Sequence, residues 1–193
     1  MRVLLVGEGP LPAPDIRHTR FCSHRFATFA EALAGHDVRM VDCRADDAAL
    51  RVAGLDPDRP AAIPADVVVS AGIYGPTKLA LRLAGDRPLW LDLPGDPFAD
   101  AQAYAWAPVE PGLAPSSGRV ASTTADALAT FVPALARGDA FSAVSGPSRF
   151  ALLGALGALG RTTATPPGVE LVHVLPVAWA FGINLLKLMG YLK

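Results

Sequence analysis

Short runs of Val and Leu return six times along the chain, each followed by a stretch long enough for a helix, and this alternation limits the fold more than any other feature. The runs are Arg2 to Val6, Asp37 to Val41, Asp66 to Ala71, Pro88 to Leu93, Ala140 to Val144 and Val169 to Leu175. Strands separated by helical segments predict βα units, because a crossover helix is what lets consecutive strands run parallel. A chain this rich in hydrophobic residues, with so few charged ones, suits a sheet covered on both faces. The expected fold is therefore α/β, an open, mostly parallel sheet of about six strands with helices on both faces. At 193 residues, with 51% hydrophobic and 18% charged residues, the chain predicts one domain over 1–193 with a sizeable core.

Between the strands, the punctuation is local. Gly7 to Pro14 holds three prolines and two glycines and cannot be regular structure. A helix is predicted from about His18 to Ala34, with Phe21, Phe26, Phe29, Ala30 and Leu33 on its apolar stripe and Gly35 ending it. Arg44 to Pro64 is weakly patterned and leaves room for one short helix. Pro76 to Ala84 reads as a helix with proline in its first turn, and Asp96 as an N-cap with Pro97 at the first helical position. Pro108 to Gly118 reads as a loop, after which Thr123 or Thr124 caps a helix to about Arg137. Pro147 to Arg161 reads as a Gly/Ala/Leu helix, and an amphipathic helix is expected from about Ile183 to Leu192.

Several function classes are disfavoured by composition. Seventeen basic and eighteen acidic residues leave a net charge of -1, so no broad positive field attracts nucleic acid or an anionic membrane. Cys22 and Cys43 fit neither a disulfide framework nor a metal knuckle, and a reducing cytoplasm is the expected compartment. His18 and His24 do not share a helical face at ligand spacing, so no metal is assigned. Ser145-Gly146 lacks the nucleophile elbow of a serine hydrolase. Leu171 to Leu186 is uncharged but falls short of a membrane-spanning helix and is broken by Pro176 and Gly182, leaving at most peripheral membrane contact.

In open α/β sheets ligands bind beyond the carboxyl ends of the strands, which selects Gly7 to Pro14, Asp42, Ala71 to Pro76 and Asp92 to Pro97. Gly7, Glu8 and Gly9 superficially match a dinucleotide fingerprint, yet Pro10 and Pro12 break the spacing and no third glycine opens a helix; a chain reversal is the favoured reading. Arg17, His18 and Arg20, at a predicted helix start, could hold an anionic or polyhydroxyl ligand, or be solvated surface. Tyr74 and Gly75 offer a ring and backbone amides for a sugar, or a turn and helix cap. Asp92 sits where a general base or hydroxyl acceptor would be placed, whereas Asp96 fits a cap.

Taken in order, Met1 to Gly9, Arg17 to Phe21, Ala34 to Val38, Trp90 to Pro97, Phe141 to Ser145, Arg149 to Arg161 and Glu170 to Pro176 resemble the N-terminal half of bacterial GT-B-fold glycosyltransferases of the group 1 type. The resemblance implies a Rossmann-like acceptor-side domain. It places Gly7 to Gly9 near the donor phosphates, Asp92 and Tyr74 on the acceptor side, and Arg17, His18 and Arg20 at the border of the same cleft. Asp92 would orient the acceptor before it would abstract a proton. That family's donor-binding Glu-x7-Glu segment has no counterpart here. The implied function is thus an acceptor domain of a split or truncated enzyme, with a sugar or lipid-linked acceptor and a second subunit carrying the nucleotide-sugar site. No cofactor is implied, and independent catalysis is not. The alternative is a non-catalytic binding module for sugar, nucleotide or protein; a flavodoxin-like small-molecule enzyme is the weakest reading.

Overall fold

The structure is a computed structural model that describes residues 1–12, 21–107, 116–166 and 168–176. Six strands form its centre: β1 (Arg2–Gly7), β2 (Asp37–Asp42), β3 (Val67–Ala71), β4 (Leu89–Asp92), β5 (Ala140–Ala143) and β6 (Val172–Val174). They make one sheet in the order β2-β1-β3-β4-β5-β6, and every pairing is parallel. The helices between them are α1 (Phe21–Ala32), α2 (Asp47–Val52), α3 (Gly75–Ala84), α4 (Pro97–Trp106), α5 (Ser117–Arg137) and α6 (Gly146–Ala158). The Rossmann-like α/β architecture expected from the strand runs is what the chain adopts.

The inner strands β1 and β3 form where the apolar runs predict them because both of their faces are buried, whereas the edge strands β2 and β6 are partly exposed. In β1, Leu4 and Val6 face a core completed by Leu79 and Leu83 of α3, Phe131 and Leu135 of α5, and Leu152 and Leu156 of α6. Leu50 of α2 joins the same side. Val3 and Leu5 face the other way, against Phe26 and Phe29 of α1. The chain order explains the unequal division. Right-handed crossovers toward β3, β4, β5 and β6 all place their helices on one face, while the reversed step from β1 to β2 places α1 on the other.

Local chemistry accounts for most helix starts. The Asp96 carboxylate accepts from the Phe98 and Ala99 amides at 3.0 and 3.4 Å, with Pro97 in the first turn, as read from sequence. Ser145 caps α6 and Asp46 caps α2. The start of α5 differs from expectation: Ser116 caps it, accepting from the Arg119 amide, and Thr124 lies inside the helix with its hydroxyl bonded to the Val120 carbonyl. Arg119 adds a tertiary reason, since its guanidinium binds the Tyr104 and Ala107 carbonyls at the end of α4. Residues 117 and 118 are thus helical, and the rest of the expected loop, 108–115, lies outside the described residues. So does the helix expected from Ile183 to Leu192. In α1, Phe21 is exposed, and Arg25 occupies the buried stripe with Phe26 and Phe29. Among the described residues no helix is long and apolar enough to cross a membrane.

Candidate functional site

The strand order reverses direction between β1 and β3, and the crevice above their carboxyl ends is where this class of sheet opens to ligands. One wall begins at Gly7. A Cβ on Gly7 would lie 2.1 to 2.6 Å from the Phe26 ring, and one on Gly9 would lie 2.6 Å from the Ser23 Cβ. Both glycines therefore let α1 approach the sheet closely, and Gly9 in addition holds φ at +121°, which strains any side-chain-bearing residue. The loop is tied to β2: the Cys43 amide donates to the Gly7 carbonyl at 2.8 Å, and the Gly9 amide donates to the Asp42 carboxylate. Burial pushes the Asp42 carboxyl up, but the hydrogen bonds from Arg44 and Gly9 outweigh it and hold the group below its ordinary value. Glu8 lies partly exposed beside them. Burial, with the nearby Glu8 and Asp42 charges, pushes the Cys43 thiol up to about 12, so it stays protonated.

The other wall is the turn from β3 into α3. Ser70 and Thr77 hydroxyls both donate to the Gly72 carbonyl, at 3.1 and 3.0 Å, closing the turn from below. Tyr74 is held at φ +53° and ψ -96°, near the rare γ-turn conformation, and is the non-glycine residue with positive φ among those described. Its ring meets Phe131 edge-on at 4.9 Å, and Phe131 in turn meets Phe98 at 6.2 Å. Burial raises the Tyr74 phenol, and the Asp100 and Asp126 charges add to the effect. Gly75 brings α3 against Cys43, where a Cβ would lie 2.8 Å from the Cys43 Sγ. Gly7, Glu8, Gly9, Tyr74 and Gly75 thus share the edge formed by β1, β3 and the end of β2.

Asp92 has a different setting. It is fully buried, on the α1 face of the sheet, whereas Tyr74 packs with the core on the opposite face. Arg25 Nε and Nη2 bind its two oxygens at 2.7 and 2.6 Å, and the Ser142 hydroxyl donates to it at 2.5 Å. The Trp90 indole N–H donates to Ser142 at 3.1 Å. Arg25 also donates to the Leu175 carbonyl at 3.0 Å and lies over the Phe29 ring. These bonds join α1 to β4, β5 and the residue after β6. Asp92 and Tyr74 are not brought together, and Asp96 is engaged as the α4 cap. Arg17, His18 and Arg20 lie outside the described residues.

Sequence reasoning passed over Arg25, Ser142 and Arg44. One signal was available for the first: an arginine in the stripe of Phe26 and Phe29 requires a buried partner. A depression of about 150 Å³ lined by Arg2, Asp37, Arg39 and Ile63 lies at the other edge, the amino ends of the strands. Among the described residues no three His, Cys, Asp or Glu side chains converge to hold a metal ion. Compared with family models, curated proteins and solved structures, the chain gives no match to any of the three.

Proposed function

We propose that this chain is the acceptor-side domain of a sugar-transferring enzyme, holding a neutral polyhydroxyl ligand at the carboxyl edge of β1 and β3, with the nucleotide-sugar site supplied by another domain or subunit. The observation that carries this reading is the make-up of the crevice. Its walls are backbone-rich turns, Gly7 to Gly9 and Gly72 to Gly75, the second carrying Tyr74, whose ring packs edge-on against Phe131. Backbone amides and carbonyls with one aromatic ring match the hydroxyls and the apolar face of a sugar. The described charges at this edge include the Glu8 and Asp42 carboxylates, and the Arg44 guanidinium is already bound to Asp42. That balance favours hydroxyls over a diphosphate. The sugar class itself comes from the resemblance to GT-B acceptor domains, and a free or lipid-linked acceptor fits equally.

Saturation-transfer NMR on the intact chain, with simple glycosides on one side and nucleoside diphosphates on the other, tests the reading. Transfer to a glycoside that is lost in Tyr74→Ala is the expected result. Transfer to the nucleotide alone, displaced by no sugar, would sink it.

A second reading, a non-catalytic recognition module, is favoured by one observation: Asp92, the carboxylate best placed for chemistry by sequence, has both oxygens occupied in a buried network. Sugar binding that persists with no transfer in the presence of donor-domain partners would select it.

A further inference from the structure

Independently of the sugar reading, the depression at the amino edge of the sheet has the make-up of a small-ligand site. Its floor is apolar and its rim is charged. Alternation along β1 puts Arg2 and Leu4 on the face that carries α3, and the parallel register sets them beside Asp37 and Arg39 of β2 on that same face. Leu4, Ile63 and Ala65 are buried there. About 150 Å³ lies open between β1, β2 and residues 63–65. An apolar cavity of about that size takes up a molecule of roughly six carbons.

The wall opposite the strands is fixed at both ends. Arg87, between α3 and β4, donates to the Pro60, Ile63 and Ala65 carbonyls at 2.6, 2.6 and 2.9 Å. At the far end the Arg2 amide and guanidinium bind the Asp66 carboxylate at 2.7 and 2.5 Å. These bonds hold the segment away from β2, and they commit Arg2. Arg39 and Asp37 differ from it. Both are exposed at the rim, two residues apart on one face, and among the described residues neither side chain has a hydrogen bond or an ion pair, even with the other.

One uncommitted cation and one uncommitted anion thus flank an apolar hollow. A simple anion here would meet Asp37 and a simple cation would meet Arg39, and like charges in contact cost affinity. A ligand that carries both charges on one carbon, with an aliphatic chain beside them, satisfies rim and floor together. We propose that this depression binds a free α-amino acid with an aliphatic side chain, its carboxylate on Arg39, its ammonium on Asp37 and its side chain over Leu4 and Ile63. The guanidinium offers the carboxylate paired N–H donors. The site lies at the edge opposite the Gly7 and Tyr74 turns, so its occupant does not compete with a ligand held there.

The test is an NMR titration of the isotope-enriched full chain with L-leucine, read at the Leu4, Arg39 and Ile63 amides. Three comparators each lack one feature: 4-methylpentanoate the ammonium, 3-methylbutylamine the carboxylate, and glycine the side chain. Saturable leucine shifts at those amides are expected, with each comparator binding about tenfold or more weakly. Arg39→Gln should weaken leucine by a similar factor and leave 3-methylbutylamine unchanged, and Asp37→Asn should do the same with 4-methylpentanoate unchanged. No saturable shift with leucine, or shifts confined to other amides, would overturn the proposal. So would 4-methylpentanoate binding as tightly as leucine, which would make the depression a plain anion site, or glycine doing so, which would remove the apolar floor from recognition. The ligand series on the native chain decides the matter even if either variant fails to fold.

Discussion

The carboxyl ends of β1 and β3 and those of β4 and β5 lie on one edge of one sheet, yet their polar groups are arranged in opposite ways. At β1 and β3 the chain turns through glycines and a strained tyrosine, and peptide groups line the crevice. At β4 and β5 a carboxylate sits at the strand end, where chemistry would be sought, and it is sealed by Arg25 and Ser142 beneath α1. A carboxylate at such a position is thus informative only together with its partner. When the partner is an arginine on the buried stripe of the first helix, the pair acts as a clamp between elements.

The comparison breaks most readily at the clamp. Asp92→Ala leaves the Arg25 guanidinium buried without a counter-charge, and the expected loss of stability is about 3–5 kcal/mol by urea unfolding. An apolar pair, Arg25→Met with Asp92→Leu, should recover much of it. A small loss in the single variant would show that Asp92 is more accessible than its burial indicates. On the crevice side, Gly7→Ala drives a methyl into the Phe26 ring, and about 1–3 kcal/mol is the expected cost. Unchanged stability there would mean that α1 can shift away from β1, and the rigid wall of the crevice would be gone.

A finer contrast concerns Tyr74. Tyr74→Ala and Tyr74→Gly both lose the contact with Phe131, but only glycine is at ease at φ +53°, so the glycine variant should be the more stable by about 1–2 kcal/mol. Equal stabilities would remove the strain from the crevice. The smallest effect belongs to the exposed pair at the amino edge, Arg2 and Asp66. Side-chain and then backbone hydrogen bonds from Arg2 lower the Asp66 carboxyl to about 2. A depressed folded value stabilises above the ordinary carboxyl range and is lost as pH falls toward 2. Asp66→Asn should therefore slightly flatten the acid limb of stability against pH and leave neutral pH nearly unchanged.

How much of this was legible in the sequence depended on whether the cause was local. Val3 to Val6 and Val67 to Ala71 declare strands because burial on both faces demands uninterrupted apolar residues. Asp96 and Pro97 announce a helix start because cap and first turn are adjacent. The start of α5 was harder: Ser116, Ser122, Thr123 and Thr124 all offer a capping hydroxyl, and the choice among them depends on Arg119 reaching α4. The Arg25–Asp92 bond joins residues 67 positions apart and becomes visible only when β4 is known to lie within reach of α1. Tyr74 gives no warning at all, since a positive φ is not a preference of tyrosine and nothing in its own side chain announces it.

The strand order also has a bearing on how the chain is made. β1 acquires its neighbours late, with Arg2 beside Asp37 and Val3 beside Val67. From β4 onward each strand pairs with the one synthesised just before it. A nascent chain that has not passed Ala71 can assemble only the β1–β2 pair, whose formation requires closing a long loop. Once Ala71 has emerged, each later strand extends the same edge, and the emerging chain builds outward in a single direction.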